Sequence, residues 1–232
     1  MAYSVVGIVN LSLGRVGAKG NISALTENSP NAIKANAVWE YIRDLVLEQV
    51  KPKFATMRVA LAQSVTAPAS RYLYAYVMPS DYLCLADGRR DDPPIYTPGY
   101  TYILPASYFS WTDFGRIITR AFQSGYPYTI ETLTDGTLCL FTDYDSVTYE
   151  EDLYISYVKR ITDPQKFAPS FIDALTYRLA AEFAISIVES TSKFQAMITL
   201  YERALERAKS ANRAHDYVED EMGDDAWVTA GR

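Results

Sequence analysis

The chain offers few side chains that could carry out nucleophilic or metal-dependent catalysis. Its one histidine, His215, stands in a polar segment with no second histidine and no cysteine cluster nearby. Metal sites need several such ligands, and a Ser-His-Asp triad needs an imidazole held in place. No glycine-rich phosphate loop follows a predicted strand. We therefore expect no catalytic residues, no cofactor and no metal ion.

Carboxylates are the remaining candidates for enzymatic chemistry. Eight of them fall in or beside a tyrosine-rich stretch in the middle of the chain: Asp87, Asp91, Asp92, Asp143, Asp145, Glu150, Glu151 and Asp152. Glycoside hydrolases place two carboxylates across the scissile bond. Acidic residues are also common in turns and at sheet edges, where their charge prevents edge pairing. Because no pair stands apart from the others, we interpret them as turn and edge residues, and glycan hydrolysis stays an alternative.

Tyrosine is concentrated in the same stretch, which holds fourteen of the nineteen tyrosines. Tyr72, Tyr74 and Tyr76 alternate along the chain, and this spacing predicts that they share one face of a strand. Such a face either packs within the sheet or contacts a partner protein. Arg89 and Arg90 could contact a phosphate, although the neighbouring aspartates nearly cancel their charge. All five residues are candidates for partner docking.

Composition narrows the class of protein further. The 232 residues carry a net charge of -6 and are 49% hydrophobic, enough for one sizeable core. The negative charge argues against a protein whose main affinity is for nucleic-acid phosphates. No apolar run is long enough to predict a membrane segment. Cys84 and Cys139 both stand among apolar or aromatic neighbours, which favours buried thiols in a reducing compartment.

The residue pattern divides the chain into four zones. Helical periodicity predicts N-terminal helices in residues 1–65 and C-terminal helices in residues 161–212. Between them, residues 66–160 are predicted as a tyrosine-rich antiparallel β domain, and residues 213–232 form an acidic tail that we expect to be mobile. Neither helical end is large enough to stand alone. We therefore predict an α+β fold, a helical bundle built from both termini with an inserted β domain.

Local signals place the elements of the first zone. A helix is predicted from Ser4 to Val16, and a second helix begins after Ser29, an N-cap residue followed by proline. The apolar stripe of this second helix has polar positions between its members, and Arg43 is one of them. Pro52 ends the helix. A short helical continuation is predicted over residues 54–62.

The later zones have equally local signals. Residues 134–137 contain Asp-Gly between two apolar runs, the strongest hairpin signal in the chain. A helix is predicted over residues 169–188, and its Ala180, Ala181 and Ala184 are small enough for another helix to approach closely. Ser192 is predicted to cap the last helix. Strands are predicted over residues 72–78, 100–104, 128–133, 137–141 and 153–158.

Several segments together resemble a known family in their order and spacing. They are residues 10–15, 22–26 and 29–50 with Tyr-Ile-Arg-Asp at 41–44; then 54–62; then 75–76 and 79–83; and last Tyr157, 162–164, Phe167 and 178–182. This order resembles the tail tubular protein A family, the head-to-tail adaptors of tailed bacteriophages, over nearly the whole chain to about Ala211. Lys53 departs from the family, which usually has an aromatic residue there, and Tyr72 stands where tryptophan is common.

The resemblance implies a structural protein of the virion rather than an enzyme. Such adaptors form closed rings of about twelve copies at the head-tail junction, between the portal protein and the tail proteins of the nozzle or tail tube. The ring gives the genome a continuous channel and makes no sequence-specific contact with DNA. It is assembled in the cytoplasm of the bacterial host.

The acidic tail contains apolar residues that a purely solubilising segment would not need. Tyr217, Met222, Trp227 and Val228 are spaced among six acidic residues. We predict that these four residues dock on a neighbouring subunit or on the portal, with Trp227 as the anchor.

Two alternatives to the adaptor stay open. One is a tail-associated glycan hydrolase that uses two carboxylates of the β domain. The other is a receptor- or glycan-binding module of the virion that presents the tyrosine face. A hydrolase turns over a glycan, a binding module binds glycan without portal, and an adaptor forms a ring with portal.

The first prediction concerns the carboxylates. Replacing any one of Asp87, Asp91, Asp92, Glu150 or Glu151 by its amide leaves assembly nearly unchanged and removes no activity, because these residues belong to turns and edges. Polysaccharide cleavage by the purified chain is the measurement. A chain that cleaves a polysaccharide and stops after one such substitution contradicts the structural interpretation.

Overall fold

The computed structural model describes residues 3–86, 95–96, 127–146 and 152–213. The helices are α1 (Val5–Val16), α2 (Pro30–Val50), α3 (Pro169–Ser186) and α4 (Thr191–Arg213), with short 3-10 helices at Lys53–Ala55 and Pro164–Lys166. The strands are β1 (Thr56–Leu61), β2 (Tyr74–Val77), β3 (Tyr82–Leu85), β4 (Ile95–Tyr96), β5 (Tyr128–Thr132), β6 (Leu138–Thr142) and β7 (Leu153–Lys159). This order confirms the predicted α+β class.

The ends of the first two helices follow the sequence signals. Ser4 Oγ accepts a hydrogen bond from the Gly7 N–H at 3.0 Å and caps α1, and Gly17 ends that helix with a left-handed φ of 71°. Ser29 Oγ accepts from the Ala32 N–H at 3.2 Å and caps α2. These bonds satisfy amide groups that have no partner inside the helix.

Helix α3 lies at the centre of the bundle and contacts α1, α2 and α4. Ala180, Ala181 and Ala184 on α3 are fully buried, as their predicted role in close helix packing requires. One hydrophobic cluster contains residues of all four helices, so the N-terminal and C-terminal segments share a single core.

Two predictions about helix boundaries are wrong. Helix α4 begins at Thr191, and Ser190 precedes it: the Phe194 N–H donates to the Ser190 carbonyl oxygen at 3.1 Å. Ser192 therefore lies inside the helix and is not the cap. Residues 54–62 are not a helical continuation either, because β1 runs through Thr56–Leu61. The β region thus begins ten residues before the predicted boundary at residue 66.

Within the described ranges, the β region contains two antiparallel sheets, and one hydrophobic cluster includes side chains of both. One sheet has the order β1-β7-β3, with β4 also paired to β7, and the other has the order β2-β6-β5. Side chains that alternate along the strands meet between the sheets, among them Leu153 and Ile155 of β7, Tyr76 of β2 and Leu140 of β6. The pair β5–β6 is the predicted hairpin, with Gly136 in the turn at a φ of 87°.

Both cysteines are free, in agreement with the prediction of reduced thiols. Cys139 is buried on β6, and burial raises the pKa of its thiol. Cys84 is half-buried on β3 and packs against the helical core. The two thiols therefore serve as small apolar side chains in different parts of the core.

The second prediction tests the close contacts of α3. Ala180→Leu or Ala184→Leu lowers the free energy of unfolding by about 1–3 kcal/mol, because extra methylene groups overpack a site with no room for them. Chemical denaturation measures this change. Ala196→Leu, at an exposed position of α4, is the matched control and leaves stability nearly unchanged. Equal effects at all three positions contradict the tight packing of α3.

Candidate docking surface

The tyrosines of β2 mainly build the interior of the β region. Tyr76 is fully buried between the sheets. Its hydroxyl donates to the Tyr144 carbonyl oxygen at 2.9 Å and accepts from the Ser146 N–H at 3.0 Å. Tyr74 is half-buried and packs against the same cluster. Hydrogen bonding of a buried hydroxyl removes the cost of its burial, so Tyr76 is a structural residue.

Tyr72 departs from the predicted arrangement. It precedes β2 and packs with Ala75 and Phe141 on the opposite face of the sheet, where it is 5% exposed. The prediction that Tyr72 shares a face with Tyr74 and Tyr76 is therefore wrong. Because Tyr72 and Tyr76 are both buried, neither offers the folded chain a docking surface.

The other residues predicted for docking lie outside the described residues: Arg89, Arg90, Tyr217, Met222, Trp227 and Val228. Their roles stay predictions.

An exposed apolar row runs along the outer side of α2. Ile33 and Tyr41 are 57% and 64% exposed, and Ala37, midway between them, is exposed too. Residues four apart on a helix are neighbours, so these three side chains form one row about 12 Å long. The opposite side of α2 is buried through Ala35, Trp39, Ile42 and Val46. We call Ile33, Ala37 and Tyr41 the α2 row.

Asp44 takes part in two ion pairs, one within α2 and one that connects α2 to the residue after β7. Arg43 is only 3% exposed, although the sequence pattern places it among the polar positions, and its Nη2 lies 2.8 Å from Asp44 Oδ1. The second oxygen, Asp44 Oδ2, accepts from Arg160 Nε at 2.8 Å just after β7. A buried cation is stable only when it is paired, and here the carboxylate also joins the helix to the β region.

A further bond anchors the start of α2. The Lys34 ammonium group donates to the Ser186 carbonyl oxygen at the end of α3. A cation at a helix C-terminus complements the partial negative charge of the last carbonyl groups. The α2 row is thus carried by a helix that is fixed at its start by Lys34 and near its middle by Asp44.

Asp87, Asp91, Asp92, Glu150 and Glu151 lie outside the described residues. No group of three or more His, Cys, Asp or Glu residues within the described part of the chain could hold a metal ion. Tyr157 donates to Asp81 Oδ1 at 2.8 Å, and burial raises the pKa of Tyr157 to about 12. This phenol is therefore protonated at neutral pH and fixes the turn before β3 to β7.

Comparison with known proteins leaves the family open. No family model matches the chain, and no curated protein matches it significantly. Within the described ranges, every helix is either too short or too polar to cross a bilayer.

Ile33 and Tyr41 are absent from the candidates predicted from the sequence. The signal for them is present nonetheless: both fall outside the apolar stripe that marks the buried side of α2. Large apolar residues that recur at helical spacing on the polar side of an amphipathic helix form a candidate contact surface.

Proposed function

We propose that the chain is a structural head-to-tail adaptor of a tailed bacteriophage. Its copies form a ring at the head-tail junction of the virion, between the portal protein and a nozzle or tail-tube protein. The sequence resemblance to the tail tubular protein A family supports this role. The observation that carries the proposal is the exposed apolar row on the firmly anchored helix α2.

Some residues of the segments that resemble the tail tubular protein A family make contacts between different parts of the fold. Asp44 of α2 pairs with Arg160 and so joins the bundle to the β region, while Arg43 pairs with Asp44 within the helix. Tyr157 and Asp81 join β7 to the turn before β3. An adaptor holds its two partners in a fixed orientation to each other. Contacts between the bundle and the sheets support this role because they keep the two parts in a fixed arrangement.

The charge of the chain also fits a conduit for the genome. A net charge of -6 gives the ring little general affinity for phosphates. DNA can then pass through the channel without sequence-specific contact and without being retained. The partners in this proposal are the portal, the tail protein and neighbouring copies of the chain.

We assign the α2 row to the contact with portal. A stable interface buries about 1,200–2,000 Å² in total, and a row of three side chains is too small to hold copies together unaided. Portal, which presents repeated sites in a circle, supplies many such contacts at once. Assembly on this template follows from the increase in effective concentration.

The third prediction concerns assembly. The purified chain is monomeric or weakly associated, and it closes into a ring only when portal is added, because most apolar side chains of its helices are already buried in the core. Light scattering of the chain alone and electron microscopy of the mixture measure this. A stable high-order ring without portal contradicts it, as does a chain that binds glycan and ignores portal.

The fourth prediction tests the α2 row. Ile33→Asp or Tyr41→Asp weakens portal binding roughly 30-fold, since the loss of a central contact costs about 2 kcal/mol or more. Melting stays nearly unchanged, because both side chains are exposed in the free chain.

A matched control separates this effect from a general loss of surface hydrophobicity. Ile185 is 48% exposed on α3 and lies outside the row, so Ile185→Asp leaves portal binding intact. If Ile185→Asp weakens binding as much as Tyr41→Asp does, the assignment of the row is wrong. If none of the three variants changes binding, portal docks elsewhere.

A further inference from the structure

The last two turns of α4 form one wall of a pocket of about 380 Å³. Much of its lining is apolar and comes from Val50, Pro52, Phe54, Phe171 and Ala208. The rings of Phe54 and Phe171 meet edge to face with their centroids 5.4 Å apart, so part of the wall is aromatic. Ligand pockets measure about 300–1,000 Å³, and this one is at the lower end, which suits a single large side chain.

Asn212 holds this pocket together. Its Oδ1 accepts from the Lys53 N–H at 2.7 Å, and its Nδ2 donates to the Lys51 carbonyl oxygen at 3.1 Å. Lys51 ends α2 in a left-handed conformation, with a φ of 47°. The two bonds fix the end of α4 against the turn after α2, so the pocket is a built feature rather than a chance gap.

Cationic side chains surround the pocket. Lys53 belongs to its lining, and an adjoining depression of about 270 Å³ is lined by Lys51, Lys209 and Arg213. Lys209 also lies 3.3 Å from Glu206 of the same helix. An apolar pocket with a basic rim selects an apolar side chain that is flanked by carboxylates.

The chain itself continues from this place with a matching sequence. Residues 214–231 contain six acidic residues and neither lysine nor arginine. Trp227 follows Asp224, Asp225 and Ala226 and stands fourteen residues beyond Arg213. A connection of that length can span up to about 46 Å, far more than the return to the adjacent pocket requires.

We propose that the pocket formed by Val50, Pro52, Phe54, Phe171 and the end of α4 binds the Trp227 side chain of the same chain, with Asp224 and Asp225 against the basic rim. This contact replaces the one with a neighbouring subunit or portal that the sequence predicts for Trp227. The same-chain segment is favoured over a second copy because a short tether gives an effective concentration in the millimolar range. This contact does not depend on the proposed adaptor function, since it forms in the free chain.

The fifth prediction uses the full chain labelled with fluorotryptophan. Fluorine NMR reports the solvent exposure of each tryptophan through the change in its shift when water is replaced by heavy water. The Trp227 signal is identified by its loss in Trp227→Phe, and Trp39, which is buried, is the internal standard. We expect Trp227 to be protected from solvent at low salt, and to remain protected on dilution.

Three substitutions on α4 separate the effect of side-chain size from the effect of side-chain charge on the exposure of Trp227. Ala211 is exposed at the pocket, so Ala211→Glu repels the acidic segment and exposes Trp227, whereas Ala211→Lys, of similar size, leaves it protected. Ala196→Glu, on the same helix away from the pocket, changes nothing. High salt shortens the Debye length from about 10 Å at 0.1 M to about 3 Å at 1 M and increases the exposure of Trp227.

The outcomes are distinct. A Trp227 that is solvent-exposed in the unsubstituted chain, or that Ala211→Glu leaves unchanged, overturns the proposal. Protection that is lost on dilution assigns the segment to the pocket of a second copy and overturns the same-chain contact. Exposure in both Ala211→Glu and Ala211→Lys overturns the pairing of the carboxylates with the basic rim. None of these results bears on whether the chain binds portal.

Discussion

The enclosure of α3 by the other three helices is the constraint on which the rest of the structure depends. Ala180, Ala181 and Ala184 have no exposed surface, and small side chains at such positions allow neighbouring helices to pack close to α3. This contact sets the position of α2, and with it the direction in which Ile33 and Tyr41 face. It also places the end of α4 beside the turn after α2. The exposed row and the C-terminal pocket thus have the same structural origin.

The bundle and the β region behave as one body because polar and apolar contacts cross between them. Val158 of β7 belongs to the helical core, and Asp44 of α2 pairs with Arg160 just beyond that strand. A salt bridge at a partly exposed site stabilises little by itself. Beside the buried Arg43, however, the Asp44 carboxylate is indispensable, since its loss would leave a cation without a partner in the interior. For the adaptor that we propose, this contact fixes the orientation of the bundle relative to the β region.

Local signals predicted much of this fold, and the failures have a common cause. Ser4, Ser29 and the Asp135-Gly136 turn act through bonds within a few residues, so their roles could be predicted from the sequence. Strand β1 could not, because its partner β7 lies about a hundred residues away in the sequence. Arg43 appears polar in the sequence, and its burial depends on the elements that pack against α2. The sequence does not predict the α2 row, because the exposure of a helix depends on which other elements pack against it.

Chemical labelling tests the proposed contact between the α2 row and portal. Cysteine is introduced as Ala37→Cys in the row and as Ala196→Cys on α4, with Cys84 and Cys139 as the background measured in the unsubstituted chain. The labelling rate of each variant is then compared between the free chain and its complex with portal. We expect labelling at position 37 to slow strongly in the complex and labelling at position 196 to stay the same. Equal labelling rates at position 37 in the free and bound chain would contradict the contact between the α2 row and portal.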